Sequence, residues 1–234
     1  MTGSAPGRRS ELADNLAAVE QRLSAAARAV GRSRGELTLI AVSKTWPLED
    51  LALMRDLGVR HFGENRDQEA RQKAAGLTGV SWHFVGAVQG NKAASVASYA
   101  DLVHSVDRVA LVSALSRAAT AAGRTIEVFL QLSLDGDTAR GGALPADLSA
   151  LASAAAAAPG LRLAGVMAVA PRAADPGRAF AELARLSAEL IDQHPEATMM
   201  SAGMSGDLEQ AVAAGATHLR VGAALFGHRT PVFR

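Results

Sequence analysis

Cysteine is absent from the 234 residues, which excludes disulfides, thiolate metal sites, iron–sulfur clusters and cysteine nucleophiles. Aromatic residues are scarce, 4% against 49% hydrophobic residues overall, so a core has to be assembled from Ala, Val, Leu and Ile. Neither sign of charge is in excess. The chain has 24 Lys and Arg against 23 Asp and Glu, and its densest basic spot is the Arg8-Arg9 pair, which argues against a dedicated nucleic-acid surface. No apolar run reaches the roughly 18 residues of a membrane span. The basic start, Met1 to Arg9, is followed by no apolar segment of the kind that directs secretion. These absences lead to the expectation of a cytoplasmic protein that engages neither membrane nor nucleic acid.

Residues 1–9 (MTGSAPGRR) are small, polar and interrupted by Pro and Gly, and they read as a disordered tail. From Ser10 onward Leu12, Leu16, Val19, Leu23, Ala26, Ala27 and Val30 recur at helical spacing. Ser10 is the candidate N-cap of this helix and Gly31 its stop. Thereafter the pattern alternates. β-Branched runs at 37–43, 59–62, 82–85, 102–106, 125–134, 161–169, 198–201 and 217–221 are separated by seven Ala-, Leu- and charge-rich helical stretches. Strands alternating with helices imply a parallel sheet. Eight of them in this length fit one α/β domain, a (β/α)8 TIM barrel over residues 10–234, with the extra N-terminal helix filling the outer-ring place left after strand eight. A doubly wound open sheet shares the alternation and is the other reading.

Parallel barrels carry their sites at the carboxyl ends of the strands. Lys44 ends the most apolar strand, LTLIAVSK, and projects toward the mouth. Partial desolvation there lowers an amine's pKa and frees it to attack a carbonyl; the plain alternative is a solvated lysine that caps a helix or pairs with an acid. The loops SAGMSGDLEQ and RVGAALFG follow strands seven and eight, where many barrels hold a phosphate. Gly203, Gly206 and Gly222 permit close backbone approach, and Ser205 stands where a helix begins, suited to bind an anion or to act as an ordinary N-cap. Arg220 shares one face of strand eight with His218, and a charge inside a barrel strand needs either a carboxylate or a ligand. The six histidines show no ligand spacing on one helix, so no metal is expected. GMSGD matches a nucleophile elbow in its first four positions only, and no G-x-G-x-x-G loop follows the first strand.

Six segments taken in order carry a stronger signal: AVSKTWP (41–47), FGENRDQE (62–69), WHFVGAVQGNK (82–92), HSVDR (104–108), GVMAVAP (165–171) and GMSGDLEQAVAAGATHLRVGAALFGHR (203–229). Together they resemble the pyridoxal phosphate homeostasis protein family, single-domain relatives of the N-terminal barrel of alanine racemase. The resemblance implies pyridoxal 5'-phosphate as cofactor, held by Lys44 as a Schiff base. It further implies that Ser205 and backbone N–H groups near Gly206, Gly222 and Ala223 hold the phosphate. Arg220 would face the pyridine nitrogen, and Asn65 and His83, in the loops after strands two and three, would lie near the ring. Some positions depart from the family pattern. Ala223 replaces a common Thr, removing one hydroxyl from the phosphate site. Arg66 replaces a Tyr, Ala87 and Gly90 replace Pro and Ser, and Arg140 is the basic residue of a loop that commonly carries Lys.

Arginine is a donor only, so a pyridine nitrogen facing Arg220 stays unprotonated and the ring is a poor electron sink. In the racemase the second base is a tyrosine from an added β-domain. The present sequence runs to Arg234 soon after strand eight, and its one tyrosine, Tyr99, falls at the end of the third barrel helix. The expectation is therefore a protein that is not an enzyme, one that stores or delivers the cofactor to apo-enzymes and exists as a monomer. A weak racemase or related amino-acid enzyme is the alternative.

Overall fold

The computed structural model describes residues 5–227. Its centre is a closed barrel of eight parallel strands that follow one another in chain order: β1 (Thr38–Val42), β2 (His61–Glu64), β3 (Ser81–Phe84), β4 (Leu102–Val106), β5 (Ile126–Gln131), β6 (Leu161–Met167), β7 (Met199–Ser201) and β8 (His218–Val221). The first and last strands pair from Thr38 against His218 to Ala41 against Val221, so the sheet has no edge and the open-sheet reading is excluded. Closure explains the near-continuous apolar strands, because a parallel strand in such a barrel is covered on both faces.

The outer ring comprises α1 (Ala5–Ala29), α2 (Leu48–Asp56), α3 (Asp67–Gly76), α4 (Ala93–Tyr99), α5 (Val109–Ala121), α6 (Leu148–Ala156), α7 (Pro176–Gln193), α8 (Leu208–Ala213) and a short α9 (Ala223–Phe226). Between ring and barrel lies the main apolar shell, anchored by Phe62, Phe180, Phe226, Leu12, Leu23 and Leu115, all fully buried. Each such side chain contributes about 2–3 kcal/mol by leaving water. Inside the barrel a separate, smaller apolar patch of Leu102, Phe129, Ala164 and Met167 fills the side made by β4 to β6. Much of the rest of the interior is polar, with His83, His104, Ser201, His218 and Arg220 all buried, and that asymmetry sets the chemistry described below. Among the described residues no helix is long and apolar enough to cross a membrane.

The N-terminal helix packs against α8, α9 and α2, closing the ring as its amphipathic pattern implied. Its start corrects the sequence reading. Residues 5–9, expected to be a disordered tail, are already helical, and Ser10 lies inside the helix rather than capping it. The reason is tertiary. The Arg8 guanidinium donates to the Asp50 carboxylate at 2.7 Å and to the Phe226 carbonyl at 3.0 Å, and it lies 4.9 Å from the Trp46 ring. Asn15 donates to the Leu225 carbonyl and Arg22 to the Ser205 carbonyl, both at 3.0 Å. Seven residues make almost two turns, so Arg8, Asn15 and Arg22 form one line along α1 and tie it to the loops after β7 and β8. Residues 1–4, also assigned to the tail, and His228 and Arg229 of the last motif lie outside the described residues. The second strand begins two residues later than its β-branched run suggested and takes in Gly63 and Glu64, which its propensities alone disfavour.

Candidate functional site

The turn after β1 presents Lys44. Ser43 is fully buried at the barrel rim, and the chain reverses there through a Trp46 N–H to Ser43 carbonyl bond of 3.0 Å. Thr45 takes a φ of 69°, the one left-handed non-glycine residue among those described. A β-branched residue in that region costs about 1–3 kcal/mol and persists only where its surroundings hold it. Here the holder is a buried ionic cluster from β2 and α3. Lys73 Nζ donates to the Ser43 carbonyl at 2.8 Å and to the Glu64 and Glu69 carboxylates at 2.6 Å each. Glu69 accepts the Thr45 N–H, and Ser43 Oγ donates to Glu64 at 2.7 Å. Burial pushes the Glu64 carboxyl above its ordinary value against the pull of Lys73 and Ser43.

Clamped in this way, the turn lifts Lys44 outward. Its side chain is exposed, which corrects the expectation of partial desolvation: the backbone leaves the barrel before Lys44 and carries the amine into water. The plain alternative of an acid partner is not realised either, since Lys44 takes none among the described residues. The amine stands over a cleft of about 190 Å³ lined by Val42, Thr45, Trp46, Gly222 and Ala223. Lys44 and the loop after β8 thus face the same space.

Arg220 forms the floor of the mouth. It is 5% exposed, and its Nη1 donates to Ser201 Oγ at 2.6 Å while Nη2 donates to the Ala168 carbonyl at 2.9 Å. These acceptors sit at the ends of β7 and β6, so the guanidinium lies at the level where the barrel opens. No carboxylate pairs with it among the described residues. Burial lowers its pKa to about 10, with only Asp207 acting weakly in the opposite direction. Two of its five donors are used. Of the two partners open in the sequence, a carboxylate or a ligand, the fold does not supply the first.

The loops after β7 and β8 meet beside this floor. The Ala224 N–H donates to Ser205 Oγ at 3.4 Å, so Ser205 bridges the two loops instead of capping its own helix. Backbone N–H groups of Ser205, Gly206, Gly222 and Ala223 take no acceptor among the described residues. At Gly203 (φ +84°) a Cβ would fall 2.6 Å from that of Ala211, and at Gly222 one would fall 3.2 Å from the Val42 carbonyl. Only glycine lets these loops lie so close to the barrel. Successive unpaired N–H groups in such loops form an anion-accepting concavity.

Asn65 follows β2 as expected, and its Oδ1 is buried without a partner among the described residues. His83 requires a correction. It lies within β3 rather than in the loop after it, and both its ring nitrogens are engaged, one by His61 and the other by His104, at 2.9 Å each. It therefore has no donor or acceptor to offer at the mouth. Two groups escaped the sequence reading altogether: the Lys73, Glu64 and Glu69 clamp, and the convergence of His61, His83, His104 and His218 inside the barrel. The i, i+4 spacing of Glu69 and Lys73 and the position of each histidine within a strand were the available signals. No group of residues placed to hold a metal ion is present among those described.

A closed parallel barrel with a free lysine at its rim, opposite glycine loops rich in open N–H groups, defines a barrel of the alanine racemase type. Residues 15–230 match the family described as alanine racemase, N-terminal domain. The pyridoxal phosphate homeostasis protein of Mycobacterium tuberculosis is 42% identical over 245 aligned residues, covering 96% of this chain and 95% of that protein. Among solved structures, a protein of unknown function from Bifidobacterium adolescentis superposes with a TM-score of 0.89 at 31% identity, covering 94% of this chain and 96% of the other. PipY of Synechococcus elongatus, solved with PLP bound, superposes at 0.80 with 37% identity, covering 92% and 100%. The chain belongs to the pyridoxal phosphate homeostasis protein family.

Proposed function

We propose that the protein binds pyridoxal 5'-phosphate at the mouth of the barrel and acts in homeostasis of that cofactor, holding it and passing it on. The observation that carries this reading is Arg220, a buried cation without a counter-charge among the described residues, whose unspent donors lie at the level of the opening. When bound, the cofactor supplies an aldehyde carbon with which a lysine amine condenses, losing water. Lys44 is the amine for that bond, and its exposure suits exchange with an amine from another protein. Ser205 and the N–H groups of Gly206, Gly222 and Ala223 take the phosphate. Arg220 donates to the ring nitrogen, and Asn65, whose Oδ1 has no partner among the described residues, is assigned to the ring's surroundings.

Racemisation needs an acid or base on each face of the substrate, and an unprotonated ring stabilises a carbanion less than a protonated one. Arg220 cannot supply a proton to the ring nitrogen. Tyr99 sits on the outer shell at the end of α4, its hydroxyl 3.4 Å from Asp67, with a pKa pushed upward by burial and that carboxylate. These features support a holder rather than an enzyme, and the proposal extends to a monomer with apo-enzymes as recipients.

Mixing the purified protein with pyridoxal 5'-phosphate should produce a visible absorbance band. Borohydride reduction and peptide mapping should then place the adduct on Lys44, and Lys44→Ala should abolish both. An unchanged band in that variant refutes the assignment. Lys44-dependent racemisation of any common amino acid at rates typical of enzymes would refute the holding role.

A further inference from the structure

Inside the barrel a line of polar side chains runs from one end to the other. His61 Nδ1 lies 2.9 Å from His83 Nε2, and His83 Nδ1 lies 2.9 Å from His104 Nε2. His104 Nδ1 is 2.8 Å from Ser201 Oγ, which in turn is 2.6 Å from Arg220 Nη1. His83, His104 and Ser201 are buried, and Phe129 stacks on the His104 ring with centroids 4.4 Å apart. His61 opens onto a cleft of about 480 Å³ at the amino ends of the strands, beside Thr38 and Arg60. His218 stands outside the line. Its Nδ1 meets Thr217 Oγ1 at 2.8 Å, and its ring centroid is 6.2 Å and 6.4 Å from those of His83 and His104.

The direction of every bond in this line follows from one end. Arginine can only donate, so Ser201 Oγ is an acceptor toward Arg220. The serine's single hydrogen then goes to its other neighbour, His104 Nδ1. A neutral imidazole carries one proton, so His104 holds its proton on Nε2 and donates to His83 Nδ1. By the same step His83 donates through Nε2 to His61 Nδ1, and the last N–H, on His61 Nε2, is left for the basal cleft. The opposite direction would give Ser201 two incoming donors and strand its own hydrogen in the interior, a costly arrangement.

We propose that Ser201 and His104, backed by His83 and His61, are positioning residues for Arg220. Their one-way chain takes a single N–H of the guanidinium at a set angle, beside the one taken by the Ala168 carbonyl, and keeps the three unspent donors for the mouth. This rests on the reading that a pyridine nitrogen is the acceptor there, while the polarity of the chain stands independently of it.

The polarity is tested on the ligand-free protein by nitrogen NMR of labelled histidine at about neutral pH. His61, His83 and His104 should all be protonated on Nε2, with a pyridine-type Nδ1. A proton on Nδ1 of any of the three overturns the chain. Ser201→Ala removes the hydrogen that sets the direction and should mix the tautomers of His104, whereas Ser201→Thr should retain the single form.

The positioning role is tested by comparing pyridoxal 5'-phosphate with its carbocyclic analogue, which keeps the aldehyde, hydroxyl and phosphate but carries C–H at the ring nitrogen. The wild type should favour the pyridine by about tenfold or more, the effect of one hydrogen bond from a charged donor. Ser201→Ala should cut that preference to roughly twofold, and Ser201→Thr should restore it. An unaltered preference in Ser201→Ala, an equal weakening toward both compounds, or no preference in the wild type overturns the positioning role. If neither compound links to Lys44, the proposed function fails instead, and the tautomers alone decide the chain.

Discussion

Lowering the pH from about 7 to about 5 sets the barrel's interior against its own fold. Burial, reinforced by the neighbouring histidines and Arg220, holds His83 and His104 well below the ordinary histidine value. His218 is held at about 4, again mainly by burial. In the unfolded chain each ring titrates near 6.5. A base whose folded pKa is depressed leaves the unfolded state to take up protons that the folded state refuses. Stability is therefore complete above about 6.5 and falls as the pH drops below it. Each such ring contributes up to about 1.4 kcal/mol per pH unit, so these three give a slope approaching about 4 kcal/mol per unit between about pH 6 and 5. By pH 4 His218 alone removes about 3 kcal/mol. Glu64 does not add to this loss, because burial raises its folded value and gives it the opposite sign. A domain in the lower half of the ordinary range, about 5–15 kcal/mol, should unfold before about pH 4. Urea midpoints of the ligand-free protein, followed by fluorescence of Trp46 and Trp82 in small pH steps, measure the slope directly. His218→Gln should lower it by about one proton. A wild-type slope of one proton or less across this window, or a full slope in His218→Gln, would show that the histidines are not held neutral in the interior.

Three further outcomes follow from single side chains. Lys73→Met leaves Glu64 buried without its cation and should cost about 3–5 kcal/mol in chemical denaturation, weakening the link at Lys44 as the Thr45 turn relaxes. Arg220→Met relieves a buried cation whose pKa burial lowers to about 10, a displacement of about 3 kcal/mol, offset by the loss of two hydrogen bonds. Its ligand-free stability should stay level or rise while cofactor affinity falls; a loss of about 3–5 kcal/mol would instead indicate a structural ion pair. Ala223→Thr places a hydroxyl beside the open N–H groups after β8 and should tighten cofactor binding about tenfold, the effect of one hydrogen bond to a charged group, measured by equilibrium titration of the visible band.

Much of the candidate site was legible because its parts are local. Lys44, Ser205, Gly206, Gly222 and Ala223 all lie just past strands, and a strand followed by a helix announces such positions in the chain. Arg220 was legible as a charge in need of a partner, but which partner depended on what seven other strands bring to its level. The errors have the same origin. Residues 5–9 looked like a tail because their order comes from Asp50 and Phe226, 42 and 218 positions away from Arg8. His83 looked like a mouth residue because a one-dimensional motif does not state the depth of a side chain within a barrel. Lys44 looked desolvated because its strand is apolar, yet the Thr45 turn expels it.

By itself the sequence determined the alternation of eight strands and eight major helices, the rim lysine and the glycine loops, all written in periodicity and in residues with special backbone freedom. Tertiary structure alone decided three things: that the sheet closes, that α1 ties down both loops, and that histidines from separate strands line up behind Arg220. Those depend on registers between segments far apart in the chain. Register is set by the packing of all the strands at once, and no single segment contains it.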